Sequence, residues 1–325
     1  MLAFLIRRLL QGAAVLLVVA FGAFLLFQFV GDPVLQVLGT EATPQQRQAL
    51  RAELGLDQPV PVQFARFVGQ ALQGDFGISL RQGRPVATLL AERLPATLEL
   101  AGLAAVLALL LGIPLGAYAA VRRGRPLAEA VMALSLLGVS VPTFLIGIVL
   151  ILLFAVLLPW LPSFGRGEVV ALGGWTTGLL SADGWRHLLL PAVTLAVFQL
   201  ALVLRLVRAE MLEVLQRDHI RFARARGLPE GRILLRHALP NTLVPVITVV
   251  GLQLGSLIAF SIVTETVFQW PGLGLLFIQA VQFSDIPVMA AYLCLIGAVF
   301  VAINLVVDLL YAAVDPRLGW RGTTA

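Results

Sequence analysis

The segment 207–240, VRAEMLEVLQRDHIRFARARGLPEGRILLRHALP, concentrates the side chains best suited to chemistry at a surface. Arg217, Arg221, Arg224 and Arg226 surround the small residues Ala223 and Ala225; Gly227 ends the pattern and Pro229 restarts it. The spacing predicts a short helix, a sharp stop, and a second short helix ending at Pro240. A transverse helix with small side chains can insert into a groove on a partner, its arginines reaching the rim. A solvated basic loop of a membrane protein would carry the same residues, and the residues alone leave both readings open.

Bond-breaking chemistry is poorly represented elsewhere. All 23 basic residues are arginine. Without lysine the chain holds neither the phosphate-binding Lys of a P-loop nor a Schiff base, so no conventional ATP site is expected and no cofactor is assigned to it. Cys294 is the single cysteine, which excludes an intrachain disulfide and a Cys-based zinc site. His187, His219 and His237 are scattered, giving no metal-ligand spacing. No carboxylate pair or activated nucleophile is visible, so the chain is read as a non-enzyme.

The elements that position the basic segment follow from composition. Of 325 residues, 59% are hydrophobic and 13% charged, with a mean hydropathy of +0.94. Soluble domains run about 45–50% apolar and 25% charged, so a polytopic membrane protein is expected. Spanning helices need about 20 apolar residues. Six runs qualify: 9–30, 97–121, 128–158, 188–206, 241–263 and 289–313. The first is longer than a signal-peptide core and no A-x-A site follows it, so it is read as a span. Pro114 and Pro142 are expected to kink their spans, with Gly116 and Gly138 nearby.

With the N-terminus inside, cytoplasmic segments carry 15 arginines and 7 acids; the outer ones carry 8 and 11. That is +8 inside against −3 outside, with the short loop Arg122–Arg125 as the clearest signal. Both termini are therefore expected in the cytoplasm, and the pI near 10.5 reflects topology, with no nucleic-acid partner. The outer loop 31–96 contains an expected helix at 44–54, with Thr43 and Gln46 forming a capping box, Pro44 at the first helical position and Gly55 as its stop. Segment 264–288 mixes apolar and breaker residues and reads as re-entrant or surface-packed.

The run Arg221-Phe222-Ala223-Arg224-Ala225-Arg226-Gly227, followed by Leu239-Pro240, resembles the "EAA" loop of ABC importer permeases. Gly227, Leu239 and Pro240 stand at that pattern's spacing and Ala223 matches its second alanine. Arg221, Phe222 and His237 depart from it, and the form is similar to that of the peptide-transport branch. Gly31-Asp32-Pro33, Ala52 to Asp57, Gly74-Asp75-Phe76-Gly77, Glu265 to Gly274, Asn304-Leu305 through Tyr311, and Asp315-Pro316-Arg317 resemble further motifs of that branch. Ser284-Asp285-Ile286-Pro287 departs from its usual R-D-Y-P.

The resemblance covers nearly the whole chain. It implies an all-α type I ABC importer permease fold with six transmembrane helices and a long extracytoplasmic loop between the first two. The corresponding divisions are 1–30 (N-terminal segment and first span), 31–96 (outer loop), 97–313 (permease core, with coupling loop 207–240) and 314–325 (cytoplasmic tail). The implied protein is the first-permease subunit of a dipeptide or oligopeptide importer in a bacterial or archaeal cytoplasmic membrane. Its implied partners are a second homologous permease, two ABC ATPases carrying ATP and Mg, an extracytoplasmic substrate-binding protein, peptide and lipid. Nickel chelates or glutathione-like peptides are alternative cargoes within the branch. An ion-coupled secondary transporter is the rival class, but it would show inverted repeats and paired intramembrane acids.

Residue roles follow as expectations. Arg221, Ala223, Arg224, Ala225, Arg226, Gly227, Leu228, Leu239 and Pro240 would couple to the ATPases. Polar residues in spans are functional candidates, so Gln28, Gln199, Gln253 and Asn304 are candidates for the translocation path; interhelical hydrogen bonding is the structural alternative. Asp308 is expected to pair with Arg205 or Arg208. Glu265, Trp270 and Asp285 would gate the path or receive the binding protein, against the alternative of a packed surface segment.

Overall fold

The computed structural model describes residues 2–29, 43–53 and 56–314. Helices α1 (Leu2–Phe29), α2 (Pro44–Glu53), α3 (Val60–Leu72), α4 (Val86–Val121), α5 (Pro126–Ser140) and α6 (Thr143–Ile151) come first. A π-helical turn Leu152–Leu157 extends α6, and a two-stranded hairpin follows, β1 (Val170–Leu172) and β2 (Trp175–Thr177). Then come α7 (Ala182–Val214), α8 (Asp218–Ala225), α9 (Glu230–Arg232), a second π-helical segment Ile233–Ala238, α10 (Leu239–Val267), α11 (Leu273–Gln282) and α12 (Ile286–Val314). The hairpin and an isolated antiparallel bridge between Ile78 and Pro85 depart from all-α architecture. The motif residues 31–33, 54–55 and 315–317 lie outside the described residues.

Five helices, α1, α4, α7, α10 and α12, contain stretches long and apolar enough to cross a membrane. Each helix outruns the apolar run that announces it. Helix α4 begins at Val86 rather than 97, so the eleven residues 86–96 assigned to the outer loop are helical. Its 36 residues rise about 54 Å, well beyond a hydrocarbon core of about 30 Å. The expected third span is broken into α5 and α6, bent by 107°. The cause is local: proline disfavours helical backbone in the residue before it, and Val141 is extended (φ −91°, ψ 130°) with Pro142 as the N-cap of the next helix. Pro114, in contrast, lies within continuous helix.

The chain forms two compact units, Met1–Pro95 with Pro271–Leu305, and Ala96–Trp270 with Val306–Ala325. In the first, Phe21 and Phe24 of α1 meet Phe64 and Phe67 of α3 at ring separations of 5.4–6.1 Å. Thr43 and Gln46 close the expected capping box, Thr43 N donating to Gln46 Oε1 (3.0 Å) and Gln46 N to Thr43 Oγ1 (3.3 Å). In the second unit α7 is central and packs against α10, α5 and α6. Small residues let these backbones approach. A Cβ on Gly116 would stand 2.5 Å from the Leu204 carbonyl oxygen of α7, so α4 can approach only as glycine there. Val203 and Val207 of α7 pack with Val246 and Val250 of α10.

Candidate functional site

The basic segment folds from its own amphipathic spacing. Ile220 and Ala223, three apart, share the inner face of α8 and are buried with Met211, Val214, Ile233 and Ala238. Asp218 in the first turn and Arg224 in the last complement the helix dipole. Gly227 stops the helix with φ +75°, and a Cβ there would meet nothing within 4 Å. The requirement is thus conformational rather than steric: L side chains avoid that region. The second short helix does not end at Pro240. A π-helical turn, Ile233–Ala238, leads into α10, whose first turn accepts the proline.

The exposed face differs from the sequence expectation in one respect. Ala223 is buried inside the segment's own core, so it seats α8 rather than presenting it. Arg221, Arg224, Ala225 and Arg226 are exposed and Leu228 is half-buried. Phe222, which departs from the motif, projects outward at 64% exposure, with the Arg226 guanidinium 5.6 Å from its ring centroid. Leu235 is likewise exposed. The signal was present: at 100° per residue Phe222 lies about 200° round from the buried Ile220. Arg224 Nε donates to Glu230 Oε1 at 2.7 Å. That hydrogen bond holds the Glu230 carboxyl below its ordinary range and raises the guanidinium above its own.

Two of the polar span residues come together. Gln199 of α7 and Gln253 of α10 line a cavity of about 340 Å³ beside the break between α5 and α6. Asn304 instead donates to the Phe300 carbonyl one turn back (2.8 Å), and the side chain of Gln28 lies outside the described residues. The expected pairing of Asp308 with Arg205 or Arg208 is not among the ion pairs of the described residues. Arg205 Nε donates to the Ala201 carbonyl (3.2 Å), and Arg208 Nε is buried without a partner.

Glu265, Trp270 and Asp285, the candidates for a gate or a binding-protein contact, are all buried within the chain. Glu265 Oε1 accepts from Thr97 Oγ1 (2.7 Å) and Ser261 Oγ (3.1 Å). Trp270 Nε1 donates to the Ala96 carbonyl at 3.0 Å. In the other unit, Asp285 accepts from Ser79 Oγ (2.5 Å) and the Leu80 backbone N–H (3.2 Å). Glu265 thereby joins α10 to α4, while Trp270 and Asp285 tie irregular backbone to its neighbours, since a buried polar group must find a partner. Sequence reading missed a buried ion pair: Arg166 Nη2 donates to Glu99 Oε2 at 2.7 Å and to the Thr176 carbonyl at 2.7 Å.

The described residues thus combine apolar helices long enough to cross a membrane, a basic segment with an exposed face and a mostly apolar cavity with a few polar groups at a broken span. The sequence model for the binding-protein-dependent transport system inner membrane component matches residues 112–320, and that for the N-terminal part of such membrane components matches residues 1–101. The chain belongs to this family. It is a permease, a transport subunit of an ABC importer rather than an enzyme.

It is 42% identical over 320 residues to a Brucella abortus (strain 2308) protein named for a peptide transport system, as its permease protein; the match covers 98% of this chain and 99% of that one. It is 40% identical over 322 residues to the glutathione transport system permease protein GsiC of Escherichia coli (strain K12), covering 99% and 100%. Among solved structures, an inward-facing MetNI methionine ABC transporter superposes with a TM-score of 0.57 at 22% identity, covering 70% of this chain and 96% of that chain. That last likeness concerns the fold.

Proposed function

We propose that the chain forms half of the path through which an ATP-driven importer moves peptides across the cytoplasmic membrane. The observation that carries this reading is full-length similarity, at 40–42% identity, to permeases named for peptide and glutathione transport. The E. coli relative favours glutathione-like peptides as a second cargo reading. A second permease would complete the path, a substrate-binding protein would deliver cargo, and two ATPase subunits would carry ATP and Mg. The bias of arginine toward segments 122–125 and 205–236 supports cytoplasmic placement of those segments and of both termini. On that reading 31–96 is the outer loop, 97–313 the core and 314–325 the tail.

The segment 207–240 then transmits ATPase closure to the spans. Its exposed face carries Arg221, Phe222, Arg224 and Arg226, Ala223 seats α8, Gly227 sets the stop, and Leu239 and Pro240 pass the motion into α10. Reconstitution of the permease pair with ATPases and binding protein in proteoliposomes tests the function. ATP-dependent uptake of Ala-Ala-Ala that requires the binding protein supports it. Absence of peptide and glutathione uptake from a complex that hydrolyses ATP contradicts it.

A further inference from the structure

The cavity at the broken span has a chemical character of its own. At about 340 Å³ it lies at the lower end of the ligand-pocket range. None of its lining residues is charged. Gln199 and Gln253 provide carboxamides, Ser256 a hydroxyl, and Phe198 and Phe260 apolar walls. Gln199 is 4% exposed, yet its Nε2 has no hydrogen-bond partner. Such a donor costs free energy if left unsatisfied, and a carboxamide is well suited to accept from or donate to another amide.

The break supplies matching backbone. The final carbonyls of α5 have no partner within their helix, and the N-cap of α6, Pro142, offers no side-chain cap. Irregular backbone at membrane depth is tolerated where it lines a cavity that can satisfy it. Val141 and Pro142 do line this one.

The geometry points to a subsite for the main-chain amide of a peptide in transit, with Gln199 Nε2 donating to the substrate carbonyl. Gln253 and Ser256 provide adjacent polar contacts, and Phe198 and Phe260 flank the amide plane. The subsite recognises what every peptide has in common. Lacking charge, it grips neither terminus nor an ionic side chain, which gives tolerance of sequence and a hold weak enough for release. This inference rests on the peptide reading above.

The test uses the assembled transporter in proteoliposomes with its binding protein and the probe Ala-photoleucine-Ala. Illumination during turnover is expected to label peptides containing Phe198–Gln199 or Gln253–Phe260. Gln199→Leu is expected to lower both that labelling and the peptide imported per ATP by about three- to tenfold, the range of one hydrogen bond, with the subunits still co-purifying. Gln253→Leu, a second variant on another helix, is expected to act in the same direction. Labelling elsewhere, or labelling unchanged in both variants, overturns the subsite while leaving the peptide reading intact. Loss of the second permease from the Gln199→Leu complex, with import per intact complex unchanged, makes Gln199 an interface donor and also overturns it. Failure of the unaltered complex to import Ala-Ala-Ala removes the peptide reading and the subsite together.

Discussion

Beyond the C-terminal end of α7, Arg221, Arg224 and Arg226 are exposed around an outward-facing Phe222. Ahead of its N-terminal end, Arg166 and Glu99 are only 8% and 4% exposed and bond to each other. The first set contributes little to its own fold, because exposed ion pairs are worth about 0–1 kcal/mol, so its charge is available to a partner. The second is committed internally, where losing one member strands the other. The lesson is that the density of charge in a segment says less about function than its exposure. Glu265, near the end of α10, and Asp285, in the turn before α12, are buried fasteners, whereas Phe222, an apolar residue, stands on the surface.

The sharpest way to break this comparison is to reverse charge on the exposed side. Arg224→Glu with Arg226→Glu is expected to leave the permease inserted and to cut ATP-driven uptake by about 100-fold or more, equivalent to about 3 kcal/mol at an interface. Gly227→Val is expected to do likewise through backbone strain of about 1–3 kcal/mol. Normal uptake in both variants would remove the coupling assignment. On the buried side, Arg166→Met should destabilise the subunit by about 3–5 kcal/mol, read as loss of folded protein in detergent. Adding Glu99→Leu should recover most of that loss, because the stranded carboxylate is gone. A double variant as unstable as the single would refute the pairing argument.

Phe222→Ala should weaken ATPase association by about 1–2 kcal/mol, as interface aromatics do, with permease stability changed by less than about 0.5 kcal/mol. Equal losses in both would make Phe222 structural. The smallest effect is expected at Arg224–Glu230. With the Glu230 carboxyl held low by its arginine, the pair's contribution is complete above the ordinary carboxylate pKa and is lost as pH falls through the lowered one. Glu230→Gln should therefore cost under about 1 kcal/mol after solvent screening and leave uptake flat at neutral pH. A steep change near neutrality would contradict that assignment.

Much of this was legible because its signals are local. Hydropathy located α7, α10 and α12, but not their ends, since helical hydrogen bonding continues past the apolar stretch that hydropathy registers. The stop at Gly227 was readable because glycine alone occupies φ +75° cheaply. The run through Pro240 was not, because a π-helical turn leaves no mark in the residue pattern. Pro142 announced a kink, though nothing local set it at 107°. Gln199 and Gln253 were identifiable as polar groups in apolar helices, but the cavity they share depends on packing. The Glu99–Arg166 contact joins residues 67 apart in sequence, beyond the reach of any spacing rule.

Site-specific photocrosslinking tests the central claim most directly. p-Benzoylphenylalanine would replace Phe222 in one complex and Phe164, exposed in the segment before α7, in another. Probe 222 is expected to capture an ATPase subunit and probe 164 the binding protein. Capture of the binding protein by probe 222, or its failure to reach an ATPase in a complex that hydrolyses ATP and transports, would contradict the account.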